Sequence, residues 1–178
     1  MVVNSLGYTG FSKALVSSLP YLTAVILAIP ISWISDKTQK RVLIASLGLL
    51  IPGVMLFLLP FVDAPGFKIT LITLAMGYYA ASFTPNIWSI IQSNVKPHAI
   101  GPASGIINGI GAGGGVLLMA SAPRGAGGGG TLAGLMVGYF YRTTGSYMQG
   151  FMVLGCIVIL GGASLLIYGR IRAHRARR

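Results

Sequence analysis

Four stretches of the chain carry no charged side chain: Ala14–Ser35, Val42–Val62, Ile69–Ser93 and Met148–Gly169. Each is long enough to cross about 30 Å of hydrocarbon as a helix rising about 1.5 Å per residue. A fifth candidate is split. Ala103–Gly115 and Thr131–Tyr141 are each too short, and joining them across 116–130 restores the length of a span. The pattern predicts an all-α, polytopic membrane helix bundle over 1–178, with spans near 14–35, 42–62, 69–93, 103–141 (interrupted by 116–130) and 148–169.

The links between the runs are short and polar or turn-rich: TQK, DAPGFK, KPHAIGP and RTTGS. Such links predict antiparallel neighbours. Pro20, Pro30, Pro52 and Pro85 fall inside spans, where neighbouring helices and hydroxyl side chains satisfy the freed carbonyls.

Composition supports the membrane class. The chain is 54% hydrophobic and 8% charged, against about 25% charged in a soluble domain. Thirteen Lys and Arg face two acids, Asp36 and Asp63. The basic residues sit between apolar runs and in the tail, not on a polar face, so the charge does not indicate nucleic acid. Cys156 is single and cannot form an internal disulfide. The N-terminus lacks the pattern of a secretory signal peptide.

Lys37, Lys40, Arg41, Lys96, Arg170, Arg172, Arg175, Arg177 and Arg178 belong to one set of links; Lys13, Lys68 and Arg142 belong to the other. The richer side is expected to be cytoplasmic. That puts the N-terminus outside and the C-terminus inside a plasma (inner) membrane. A five-span chain starting outside reads as the end of a longer protein.

Between the first two spans stands SWISDKTQKR, residues 32–41. It resembles the signature G-x-L-x-D-R-x-G-R-R of the major facilitator superfamily, matching at Ile34, Asp36, Lys37, Lys40 and Arg41. Ser32 and Gln39 stand where that family has glycine. The resemblance implies a gating role for Asp36, Lys37, Lys40 and Arg41: an acid at a helix end pairs with nearby basic groups and holds one conformation closed. The bland alternative is a topogenic basic loop.

A second resemblance covers GIINGIGAGGG and GYFYRTTGSYMQGF. Asn108, Gly109, Thr144, Gly145, Ser146, Tyr147 and Phe151 are similar to the pattern of spans 11 and 12 in the anion:cation symporters of the same superfamily. Together the resemblances imply a partial C-terminal half, spans 8 to 12 of twelve. The implied function is secondary transport of a small organic solute, an organic anion, by alternating access. Proton or sodium coupling would come through the missing half, and five helices alone are expected to be inactive. The rival reading is a small helical membrane protein that acts as a partner or assembly subunit.

Gly101, Gly105, Gly109 and Gly113 recur every four residues and predict a close-packing helix face. Tyr79, Ser82, Asn86, Ser89 and Ser93 form a polar stripe at spacings of 3 and 4. Asn108 pairs with Ser104, and Tyr21 with Ser17, on shorter stripes. Tyr21, Tyr79, Asn86 and Asn108 are therefore candidates to line a solute cavity; the alternative is hydrogen bonding between helices, worth about 0.6–2 kcal/mol each.

No span contains Asp, Glu, His, Lys or Arg. No metal or cofactor site, nucleophile–base pair or phosphate loop is expected, so the chain reads as no enzyme. His98 and His174 read as solvated. The tail reads mainly as a stop signal, with contact to anionic lipid a lesser role. Finally, GAGGG occurs at 111–115 and again at 125–129, with Pro123 and Arg124 between the copies. We read the repeat as an insertion or duplication that interrupts the fourth span; a broken helix at a binding site is the alternative.

Overall fold

A computed structural model describes residues 10–109 and 132–175. Among them no strand occurs. The helices are α1 (Gly10–Thr38), α2 (Arg41–Leu58), α3 (Pro65–Asn94), α4 (Ile100–Asn108), α5 (Leu132–Thr144) and α6 (Tyr147–Arg175), with short 3-10 turns at Leu59–Phe61 and Pro97–Ala99. The repeated glycines and most of the split fourth span lie outside the described residues, and so does Gly113.

Among the described residues, three helices are long and apolar enough to cross a membrane: Gly10–Thr38, Arg41–Phe61 and Tyr147–Arg172. α3 has the length, at 30 residues. Its stripe of serines and Asn86 leaves it less apolar than those three. Pro20 and Pro30 lie inside α1, Pro52 inside α2 and Pro85 inside α3.

Packing order differs from chain order. α1 packs along α3 and hardly touches α2, α2 lies between α3 and α6, and α5 packs on α6. The expectation that every short link joins packed neighbours therefore fails at the first one. The physical reason is complementarity along the helix face. Gly77 of α3 leaves room for Thr23 and the Pro20 carbonyl of α1, where an added Cβ would come within 2.6 Å of Thr23. α1 and α3 consequently run side by side in the same direction.

The α2–α6 pair is antiparallel, and there backbone approaches backbone. A Cβ on Gly155 would lie 2.7 Å from the Gly53 carbonyl oxygen and from the Phe57 nitrogen. Gly162 faces Leu50, and Gly169 faces Val42. Small residues also fill the core, with Ala45, Ser46, Ala75, Ala81 and Ser82 buried. Leu56, Leu59, Ile69 and Ile90 are buried with them, but many large apolar side chains point outward, among them Val25, Ile29 and Leu160. This inversion suits hydrocarbon, where association depends on close van der Waals approach rather than on removing apolar surface from water.

The T-G-S-Y turn joining α5 to α6 has a local cause. Gly145 takes φ +72° and its N–H bonds the Tyr141 carbonyl at 2.9 Å, a left-handed helix stop. Ser146 Oγ then accepts the Met148 N–H at 3.2 Å and starts α6. Tyr141 and Tyr147 stack across the turn, 3.9 Å between centroids.

Candidate functional site: the α1–α2 connection on α3

α1 ends at Thr38 and α2 starts at Arg41, so the chain must reverse within Gln39 and Lys40. Gln39 makes the reversal by adopting φ +54°, in the left-handed region that favours glycine. It is the residue that stands where the superfamily signature has glycine. Its amide partly offsets the cost: the Gln39 N–H bonds the Ser35 carbonyl at 2.9 Å, and Nε2 donates to the Asp36 carbonyl at 2.6 Å.

The reversal brings Arg41 against Asp36, Nη2 to Oδ1 3.3 Å. Asp36 is 72% exposed, so this pair contributes roughly 0–1 kcal/mol. The same guanidinium reaches α3, where Nη1 donates to Ser89 Oγ. Arg41 is 31% exposed, and its Nε is buried with no partner among the described residues. Lys37 turns back over the Trp33 ring, 4.8 Å from the centroid. Lys40 is exposed.

Deeper, the α3 stripe binds both neighbours. The Ser35 hydroxyl of α1 donates to Asn86 Oδ1. Asn86 Nδ2 donates to the Ser82 carbonyl at 2.7 Å, and Ser82 Oγ donates to the Ile44 carbonyl of α2 at 2.9 Å. Ser35, Ser82 and Asn86 are all buried, Asn86 to 3% exposure. One helix face, Ser82–Asn86–Ser89, thus ties the end of α1 and the start of α2 to α3. Buried polar groups away from water require such pairing.

The four cavity candidates are not gathered in one place. Asn86 lies within this bonded cluster. Tyr79 is 40% exposed and stacks on Phe83, 5.3 Å between centroids. Tyr21 is 73% exposed on α1, and Asn108 is exposed at the end of α4. None of them lines the open groove of about 360 Å³ formed by Leu49, Phe83, Ile87, Gly161, Leu165 and Tyr168. A Cβ on Gly101, Gly105 or Gly109 would meet nothing within 4 Å. Among the described residues, close approaches occur instead at Gly48, Gly53, Gly77, Gly150, Gly155, Gly162 and Gly169. These lack an i, i+4 repeat, so such spacing does not mark them. Spacing does not mark Ser35 or its partnership with Asn86 either; the one available signal is a serine at the end of an apolar run.

The family model described as Major Facilitator Superfamily matches residues 1–119, which include α1, α2, α3 and the connection between α1 and α2. No curated protein and no solved structure matches the chain.

Proposed function

The chain belongs to the major facilitator superfamily, and we propose that it forms spans 8 to 12 of a secondary transporter that moves a small organic anion by alternating access. Members of the family move small solutes across membranes. The observation that carries the reading is the bonded α1–α2 connection. In alternating access, contacts close one end of the cavity and break when that end opens. Here the closing contacts are individually weak. An exposed ion pair contributes roughly 0–1 kcal/mol and interhelical hydrogen bonds about 0.6–2 kcal/mol each. Differential binding of solute or coupling ion can offset a sum of that size.

In this reading the end bearing Lys37, Lys40 and Arg41 is cytoplasmic, as is the C-terminus, in a plasma (inner) membrane. Asp36 and Arg41 open and close with the cycle. Tyr21, Tyr79 and Asn108 offer polar groups to the solute, and Asn86 joins them when Ser35 moves away. Gly101, Gly105, Gly109 and Gly113 let span 11 slide against a neighbour. The cationic group for an anionic solute, and the group coupling to a proton or sodium, belong to the other half of the transporter. Support for the anion comes from the asparagine–glycine and T-G-S-Y patterns.

The test is uptake of labelled organic anions into proteoliposomes holding the longest chain the gene encodes, under inward proton or sodium gradients. Saturable, gradient-driven uptake is expected, and it should fall in Asp36→Asn. Absence of uptake under either gradient, with a second membrane protein co-purifying, would favour the partner-subunit reading.

A further inference from the structure

Two basic segments far apart in sequence meet at one end of the bundle. Val42, next to Lys40 and Arg41, packs on Gly169, next to Arg170 and Arg172. Lys40, Arg170 and Arg172 are exposed. The sequence offers two acidic side chains. Asp36 is bridged to Arg41, and Asp63 sits at the opposite end between α2 and α3. Among the described residues, no carboxylate side chain is therefore bridged to these three cations. Both helices that carry them are apolar enough to span a membrane, so their charged ends lie at headgroup depth.

The open groove leads to the same end. On α6 its lining residues Gly161, Leu165 and Tyr168 continue at helical spacing to Arg172. On α2, Leu49 lies two turns beyond Arg41. Phe83 and Ile87 of α3 close the far side. The hydroxyl of Ser164, also at the groove, bonds the Leu160 carbonyl at 2.8 Å, which leaves the wall apolar.

We propose that this end binds an anionic phospholipid, with the phosphate headgroup on Lys40 and Arg172 and one acyl chain laid along the groove between α3 and α6, while Arg170 stands on another face of α6. An apolar channel ending in unbridged cations complements a molecule with an acyl chain and an anionic head. A free phosphate would use the cations and leave the groove empty.

Native mass spectrometry of the purified full chain, titrated with phosphatidylglycerol or phosphatidylcholine, tests this. The anionic lipid should be retained about tenfold more strongly, with a loss of about fivefold in Arg172→Gln and a smaller one in Arg170→Gln, which lies off the groove face. Arg172→Lys should keep the preference. Leu165→Trp, which fills the groove and keeps every charge, should also weaken retention, and glycerol phosphate should not displace the lipid. Equal retention of the two lipids by the unmodified chain overturns the proposal, whatever the variants do. So does displacement by glycerol phosphate, which marks a soluble-phosphate site, or a dimer replacing bound lipid, which marks a protein contact. Unaltered retention in Leu165→Trp overturns the groove.

Discussion

The hydroxyl of Ser35 on α1 donates to the amide oxygen of Asn86 on α3, 51 positions further along the chain, with both residues buried. This bond joins two helices that run in the same direction and are separated by the whole of α2. It makes Asn86 the hub of a polar cluster that reaches α1 directly and α2 through Ser82 and Ile44.

Asn86→Ala should therefore destabilise the bundle by about 1–3 kcal/mol, since it leaves the Ser35 hydroxyl unpaired in a buried place. Ser35→Ala in the same background should add little, because the two residues share one bond. Thermal unfolding in a fixed detergent, with the two single variants and the double, checks both statements.

Gln39 gives a prediction of opposite sign. A non-glycine residue in the left-handed region costs roughly 1–2 kcal/mol. Gln39→Gly relieves that cost and loses the exposed side-chain bond to the Asp36 carbonyl, so a net gain of about 0.5–1 kcal/mol is expected. Gln39→Val, β-branched at the same φ, should lose about 1–2 kcal/mol. The order Gly, Gln, Val in unfolding temperature is the readout.

Glycines separate into two groups. Gly155→Ala puts a Cβ 2.7 Å from the Gly53 oxygen and the Phe57 nitrogen, both backbone atoms that cannot rotate aside. The helices must part, at a cost of about 1–3 kcal/mol. Gly105→Ala meets nothing within 4 Å and should gain up to about 1 kcal/mol of helix propensity. A Gly105→Ala loss as large as that of Gly155→Ala would show that a neighbour presses on the α4 face.

Much of this was legible in the sequence, for reasons that particular residues make clear. The spacing of Tyr79, Ser82, Asn86, Ser89 and Ser93 put them on one helix face, because helical periodicity is a local property. The left-handed turn at Gln39 is evident only in the fold, although the signature's glycine marks the same position. Partners were not legible. A three-residue link suggests that α1 lies against α2, yet Gly77 receives Thr23 and the pairing goes to α3. That choice depends on surface shape along two faces, which no local spacing encodes. The glycines at 101, 105 and 109 stand out by their period, whereas the irregular Gly53 and Gly155 bring two helix backbones together.

The Arg41 contact with Ser89 closes the clasp from the α2 side, and its two partners can be distinguished. Arg41→Lys keeps the charge near Asp36 and loses the planar donor fork. It should retain most stability and, in the proposed transport cycle, shift the open–closed balance, seen as a changed KM with modest change in stability. Asp36→Asn should cost less than about 1 kcal/mol, as an exposed pair does.

The central claim is that the α1–α2 connection is held on α3 by these bonds. Spin labels at Lys37→Cys and Gln92→Cys, in a Cys156→Ser background, measure it by pulsed electron resonance on the membrane-reconstituted chain. The account predicts one narrow distance, which broadens when Asn86→Ala and Arg41→Gln are combined. The same narrow distance in that combination would contradict it, since the connection would then be held by something other than the Ser35–Asn86 and Arg41–Ser89 bonds.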